Sequence, residues 1–254
     1  MIYFASDLHL STSEDGKARE KAFINWLDDI KHVADKIFLL GDMFNFWFEY
    51  KKVVPRGYVR FLGKLTELID EGIEIHYFTG NHDMWVSDYL SKDLGLIVHR
   101  NITEMKIGSH RFLLGHGHEL TKEIPNKLLF KIYDITLLHN LFGAIHPRWG
   151  MTWGNNLSVR NSKKNVLDII EPNVNEYQIE FAKQQLRNKH YDYFIFGHTH
   201  LPSYRQLTSN SIYINTGDWI NSLSYVVFDG KNIQLKYYSK EIKNNTEKRI
   251  IKFK

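Results

Sequence analysis

The sequence predicts an α/β fold in which a parallel sheet built by helical crossovers is joined by a second, largely antiparallel sheet. In residues 1–79, three apolar runs alternate with two amphipathic helical patterns, the order of right-handed βαβ units. After residue 96 the apolar runs shorten and most of the long helices between them disappear. A third observation concerns where the runs stop. Apolar residues lead into Asp7-Leu8-His9, Gly41-Asp42, Gly80-Asn81-His82-Asp83, Gly115-His116-Gly117-His118 and Gly197-His198-Thr199-His200. In open α/β folds the carboxyl ends of the strands carry the site, so these five ends would deliver Asp, Asn and His to one edge.

The opening Met1-Ile2-Tyr3-Phe4-Ala5 meets Asp7 and His9 at once, so it reads as a first strand and not as a signal peptide. Residues 17–34 carry Phe23, Trp26, Leu27, Ile30, Val33 and Ala34 at helical spacing. Strand 37–41 follows and stops abruptly at Gly41-Asp42, as a buried parallel strand does at the edge of its sheet. An aromatic loop, Met43 to Phe48, leads to a second helix over 58–69, which ends near Gly72, and then to strand 73–79. Further strands are expected at 96–98, 102–107, 111–115, 192–197, 204–207, 212–215, 223–228 and 232–238.

One stretch breaks this rhythm. From His118 to about Lys164 there is no clear strand, but the segment is rich in Leu, Ile, Phe and Trp, including Phe130, Leu137, Leu141, Phe142, Trp149 and Trp153. Lys122, Lys127, Lys131, Arg148, Arg160, Lys163 and Lys164 outnumber Glu123 and Asp134 there. The expected organisation is a single domain over 1–254 with a helical insertion at about 120–165. The insertion reads either as a helical hairpin capping the core or as a lid. Basic residues beside apolar surface suit a phosphorylated lipid.

Composition narrows the chemistry. A chain of 254 residues that is 43% hydrophobic can bury a full core. The absence of cysteine excludes a disulfide framework, thiolate metal sites and a cysteine nucleophile, and is compatible with a cytosolic setting. No uncharged run has the length of a membrane-spanning helix. The net charge of +4 is a tail property: eight Lys or Arg against two Glu after residue 230 leave residues 1–230 at −2. A solvated end explains this, with weak attachment to anionic lipid or nucleic acid as the alternative. The motifs themselves show no basic groove, so no nucleic-acid partner is expected.

Carboxylate, imidazole and amide donors without sulfur suit divalent Mn, Fe, Co or Zn. Asp7 and His9, two apart at a strand end, reach one ion, and Asn81, His116 and His198 supply a second. Asp42 bridges them and His200 returns to the first. Two such ions, about 3.5 to 4 Å apart, would neutralise a phosphate and lower the pKa of a water between them. That is metal-assisted hydrolysis of a phosphate ester or anhydride. Each motif alone could be a turn, because Gly and Asn tolerate positive φ. Six of the 13 histidines fall in these motifs, however, and turns do not explain that coincidence. His32, His76, His99, His110, His139, His146 and His190 are left as structural or surface residues.

The order Asp-X-His, Gly-Asp, Gly-Asn-His-Asp, Gly-His, Gly-His-Thr-His over residues 5–200 resembles the calcineurin-like metallophosphoesterases. The resemblance implies a four-layer α/β/β/α sandwich. It implies one metal on Asp7, His9, Asp42 and His200 and another on Asp42, Asn81, His116 and His198. His82, oriented by Asp83, would contact the scissile phosphate or protonate a leaving oxygen. The opening Ser-Asp-Leu-His-Leu-Ser, the Gly-Asp-Met-Phe-Asn-Phe-Trp segment, the ending Gly-His-Thr-His-Leu-Pro and the basic, aromatic insertion are similar to the UDP-2,3-diacylglucosamine hydrolases of lipid A synthesis. That group implies cleavage of the nucleotide-sugar pyrophosphate to UMP and 2,3-diacylglucosamine 1-phosphate. It further implies manganese, with Fe, Zn or Co as alternatives, and a cytoplasmic enzyme in peripheral contact with the inner membrane. Phe130, Leu137, Leu141, Phe142, Arg148 and Trp149 would form the acyl site.

Two positions depart from the best-known hydrolases of that group, which have Arg in place of His82 and Asp in place of His118, while other members could carry His at the first. A sugar phosphate leaves readily, so an Arg that stabilises charge suffices, whereas a histidine acid is more useful against an alkoxide. His82 therefore keeps open a phosphodiesterase or phosphomonoesterase of other specificity. A non-catalytic scaffold would be expected to have lost ligands, and all seven positions hold ligating residue types.

Overall fold

The computed structural model of the chain describes residues 1–121, 136–168 and 173–239. Strands β1 (Ile2–Ala5), β2 (Lys36–Leu40), β3 (Glu74–Phe78) and β4 (Ile97–His99) run parallel, with β10 (Ser224–Phe228) antiparallel to β1 and β11 (Ile233–Tyr237) at the edge. Their order is β11-β10-β1-β2-β3-β4. The second sheet has the order β5-β6-β7-β9-β8, from Thr103–Ile107, His110–Leu114, Tyr193–Phe196, Ser211–Asn215 and Ser203–Thr208. Its three middle strands are parallel and only its edges antiparallel, which corrects the expectation of a largely antiparallel sheet. The last two strands also belong to the first sheet and not to the second. Side-chain alternation marks a strand but not its neighbour, and that choice rests on pairing across more than 200 residues.

Strand periodicity separates the layers. Tyr3, Ala5, Ile37, Leu39, Ile75 and Tyr77 face helices α1 (Glu14–Ile30) and α2 (Val59–Asp70), whose Phe23, Trp26, Leu27, Phe61 and Leu65 close that layer. The alternate residues Phe4, Phe38, Leu40 and Phe78 pack against Phe112, Leu114, Ile195 and Ile214 of the second sheet. Leu113, Phe194, Phe196 and Tyr213 turn outward, onto Ile179 and Ala182 of the helix Glu176–Leu186. Three apolar interfaces thus separate four layers, helix, sheet, sheet and helix, as the resemblance implies.

Helix α1 begins earlier than its apolar spacing predicts, because the Ser13 side chain accepts a hydrogen bond from Gly16 N at 3.1 Å and Glu14 and Asp15 occupy the first turn. It ends at Ile30, which leaves Val33 beyond it and half exposed. A short helix, α3 (Tyr89–Lys92), precedes β4. In the insertion, α4 (Thr136–Ala144) and α5 (Pro147–Asp168) are described, and the helix Glu176–Leu186 is numbered α6. Phe130, Lys122, Lys127 and Lys131, and the basic tail from residue 240, lie outside the described residues.

Candidate metal centre

All five motifs sit just past the carboxyl ends of β1, β2, β3, β6 and β7, at one end of the facing sheets. The chain has to turn sharply there. Among the described residues, six non-glycine residues have positive φ, and five of them are Asp7 (54°), His9 (46°), Asp42 (53°), His198 (74°) and His200 (59°). L-residues avoid this region, at a cost of about 1–3 kcal/mol each, so the loops hold these side chains inward against their local preference. Two of the motif glycines are explained by close approach. A Cβ at Gly80 would collide with Asp42 Oδ1, and one at Gly197 would lie 2.6 Å from Asp7 Oδ2.

The side chains converge in two groups. His200 Nε2 lies 3.4 Å and His9 Nε2 3.7 Å from Asp7 Oδ1, and the two ring nitrogens are 3.2 Å apart. Asp42, His116 and His198 form the other group, with His116 Nε2 3.3 Å from Asp42 Oδ2 and 3.2 Å from Asn81 Oδ1. Asp42 Oδ2 also lies 3.6 Å from His9 Nε2, so its carboxylate stands between the groups. The sequence-predicted ligands are therefore brought together, all seven of them.

The donor set fits a pair of divalent cations. Asp7 Oδ1 and His9 Nδ1 are buried without a hydrogen-bond partner. Burial pushes the Asp7 carboxyl up, but His200 and His116 overcome it and bring its pKa down to about 2. At Asp42 burial is likewise overcome, by His116 and His82, and the carboxyl is held well below its ordinary range. Burial lowers His9, and burial with the charge of His116 lowers His198 well below an ordinary imidazole. These are the ionised carboxylates and neutral imidazoles that ligate metals. Burial would lower His116 too, but Asp42 and Asp7 raise it to about 10, so that a proton there answers the negative charge a cation would answer. His118 stands behind this group, with its ring 5.4 Å from that of His116, and burial takes it down to about 3.

His82 enters the site from β3, with its Nε2 4.0 Å from Asp42 Oδ2 and its backbone N donating to Asp42 Oδ1 at 2.8 Å. The expected Asp83–His82 dyad is not formed. Asp83 turns into the sheet edge, where its oxygens accept from Gly80 N (2.6 Å), Met43 N (2.9 Å) and Tyr77 OH (2.5 Å). Burial and the nearby Asp42 raise its carboxyl to about 6. Though adjacent in sequence, the two side chains have separate partners. His82 Nδ1 instead meets Asn45 O at 2.9 Å and Ser158 Oγ at 2.6 Å.

Sequence reasoning missed Ser158, Asn45 and Asp218. Asp218, fully buried in the loop after β9, places Oδ2 3.3 Å from His200 Nδ1 and collects Asn221 N, Ser222 N and Ser222 Oγ on Oδ1. Its only signal was a Gly-Asp pair after an apolar run, the same signal that pointed to Asp42.

Beside His82 opens an apolar cavity of about 380 Å³. Phe46, Trp85, Leu138, Leu141, Phe142 and Leu157 line it. Of the residues expected to face a substrate's apolar part, Leu141 and Phe142 line it. Leu137 does not: positions 138, 141, 142 and 145 share one helical face and Leu137 turns outward, 65% exposed. Arg148 and Trp149 also lie outside the lining, with the guanidinium 5.9 Å over the indole ring.

Fold and site together define a metal-dependent phosphoesterase. The chain belongs to the calcineurin-like phosphoesterase family, whose sequence profile matches residues 1–202. It is 40% identical over 252 residues to a UDP-2,3-diacylglucosamine hydrolase of Porphyromonas gingivalis, covering 92% of this chain and 96% of that protein. It is 24% identical over 239 residues to a UDP-2,3-diacylglucosamine hydrolase of Shewanella sp., covering 91% and 94%. A solved structure of Yfce, a phosphoesterase from E. coli, is similar with a TM-score of 0.42 and 17% identity over 89% of this chain and 86% of that one.

Proposed function

We propose that the protein hydrolyses the pyrophosphate bond of UDP-2,3-diacylglucosamine, releasing UMP and 2,3-diacylglucosamine 1-phosphate. The observation that carries this reading is the apolar cavity opening beside Asn81 and His82, because it joins a greasy wall to a phosphate-hydrolysing centre. The 40% identity to a hydrolase of that name supports it. Residues 120–165 then act as a lid on a single domain, with α4 and α5 forming the acyl site. Each CH₂ moved from water into such a cavity contributes about 0.8 kcal/mol, so chain burial can dominate substrate choice.

Asp7, His9, Asp42 and His200 would hold one divalent cation and Asp42, Asn81, His116 and His198 the other. Manganese is the metal we propose, since carboxylate oxygens share both sites with imidazoles and an amide oxygen joins the second. When bound, the pair supplies charge neutralisation of the phosphate and a water of lowered pKa. The chain's own groups do the rest. Asn45 and Ser158 hold the His82 ring with Nε2 toward the centre, where it contacts the scissile phosphate and offers a proton to the leaving oxygen. The aromatic wall excludes water beside the reacting bond.

No helix among the described residues is long and apolar enough to cross a membrane. Contact with a bilayer surface is proposed for the outer face of the lid. Trp149 and Trp153, four residues apart on α5, and Leu137 of α4 are all more than half exposed and lie outside the cavity lining. Arg148 adjoins Trp149, Lys51 and Lys52 are exposed in the loop that packs on Gly150 through Tyr50, and no acidic residue occurs from 135 to 167. Such a face suits anionic lipid.

The deciding experiment compares UDP-2,3-diacylglucosamine, a UDP-sugar without acyl chains and an aryl phosphodiester, with wild type and a Leu138→Ser/Phe142→Ser variant. Strong preference for the acylated substrate, lost selectively in the folded variant, is the expected result. Equal turnover of all three by wild type would overturn the lipid reading.

A further inference from the structure

We propose that Ser158 is a positioning residue through which the lid helix α5 sets the orientation of His82; this rests on the reading of His82 as the group that works on the phosphate. Asn45 O can only accept, so the hydrogen shared with His82 at 2.9 Å must be carried by Nδ1. Ser158 Oγ stands 2.6 Å from the same Nδ1 and donates its own hydrogen to Asn45 O, closing a three-membered network. The neutral ring is thereby held as the Nδ1–H tautomer. In the imidazolium, the form that can give a proton to the leaving oxygen, the same network keeps Nδ1–H occupied and leaves Nε2–H as the proton offered to the centre. A single acceptor on Nδ1 leaves the ring free to tilt about its outer torsion. Two acceptors from different elements, the β2–α2 loop and α5, remove that freedom.

Ser158 comes from a part of the chain remote from the metal motifs, 76 residues after His82. Nonetheless it is buried, directly after the exposed Asn156 and Leu157. It also shares the cavity wall with Leu157, so a chain seated in the cavity presses on the helical turn that carries the hydroxyl. Apolar recognition and the reacting phosphate are connected by this one side chain. An Arg in place of His82 would need no such partner, because its donors are fixed by the guanidinium plane.

The test uses Ser158→Ala and Ser158→Thr, each alone and in a His82→Ala background. All variants are loaded with manganese, checked for melting temperature and metal content, and assayed on an aryl phosphodiester that lacks acyl chains. Ser158→Ala is expected to lower kcat by about 10- to 100-fold with KM unchanged, Thr to restore most of it, and neither to matter once His82 is Ala. In nitrogen-15 spectra of the metal-free protein, His82 should change from the Nδ1–H form to a mixture in Ser158→Ala. Unchanged kcat would overturn the proposal. So would an equal fractional loss in the His82→Ala background, or a loss confined to the KM of the acylated substrate, which makes Ser158 only a wall of the cavity. If wild type spares UDP-2,3-diacylglucosamine but cleaves the aryl diester, the substrate reading fails and the Ser158 comparison still stands. If neither is cleaved, the tautomer spectra decide alone.

Discussion

Asp218 Oδ2 lies 3.3 Å from His200 Nδ1, behind a ring whose Nε2 faces Asp7 Oδ1 at 3.4 Å. A carboxylate in that position fixes the ring and makes its outer nitrogen a better donor to a cation. His116 has a backbone carbonyl in the equivalent place, with Nδ1 2.7 Å from Leu40 O. Asp218→Asn should therefore weaken cation binding at the Asp7, His9 and His200 group by about 10- to 100-fold and spare the Asp42, His116 and His198 group. Calorimetric titration of metal-free protein with manganese should show one step moved and one retained. Ser222→Ala, which disturbs the same loop without touching His200, serves as the control.

Asp42 stands between both groups, so Asp42→Ala should lose more metal per chain than His9→Ala. Elemental analysis after dialysis measures this directly. Full occupancy in Asp42→Ala would reject a shared carboxylate.

Gly80 and Gly63 should respond to alanine with opposite signs. A methyl at Gly80 collides with Asp42 Oδ1, and we expect a loss of about 1–3 kcal/mol in stability together with lost metal. Gly63 lies inside α2 with nothing within 4 Å of an added Cβ, and alanine there should stabilise by about 1 kcal/mol. Urea unfolding of the metal-free proteins compares the two.

His82→Arg separates leaving groups. For a sugar phosphate, charge stabilisation by Arg should sustain hydrolysis with modest loss, whereas an alkyl ester that needs an acid should slow by about 10²- to 10⁴-fold. Equal damage to both substrates would leave the acid role unsupported.

Acid stability should depend on His99. Its Nε2 lies 2.9 Å from His76 Nδ1, and His76 Nε2 lies 2.6 Å from Glu74 Oε1, which also pairs with Lys36. Burial, reinforced by His76, takes His99 from 6.5 down to about 4. Between those values the unfolded chain binds more protons than the folded one, so this contribution is present above pH 6.5 and is lost as pH falls towards 4. His99→Phe, which keeps the ring stack on Phe78, should flatten the pH dependence of the urea midpoint in that window. Parallel curves for variant and wild type would assign the acid sensitivity to other groups.

By itself the sequence determined the parallel half of the fold and the seven convergent donors. Both are local: an apolar run that ends at Gly-Asp or Gly-Asn-His records in consecutive residues a buried strand and the polar group at its tip. The glycines before Asn81 and His198 belong to the same record, because another chain segment approaches there too closely for a Cβ. Only the tertiary structure decided which groups stand behind the donors. Asp83, adjacent to His82 in sequence, turns away from it, whereas Ser158 meets it from the lid and Asp218 meets His200 from another loop. Strands β10 and β11 joined the first sheet for the same reason, since alternation marks a buried face without naming the partner. In the lid, composition showed an apolar insertion, but a rotation of one residue, about 100°, separates Leu138 in the cavity from Leu137 in solvent. That angle is set by how α4 packs on Phe48 and Trp85, which contact Phe142 at ring distances of 4.7 and 4.9 Å from loops some 60 to 90 residues earlier in the chain.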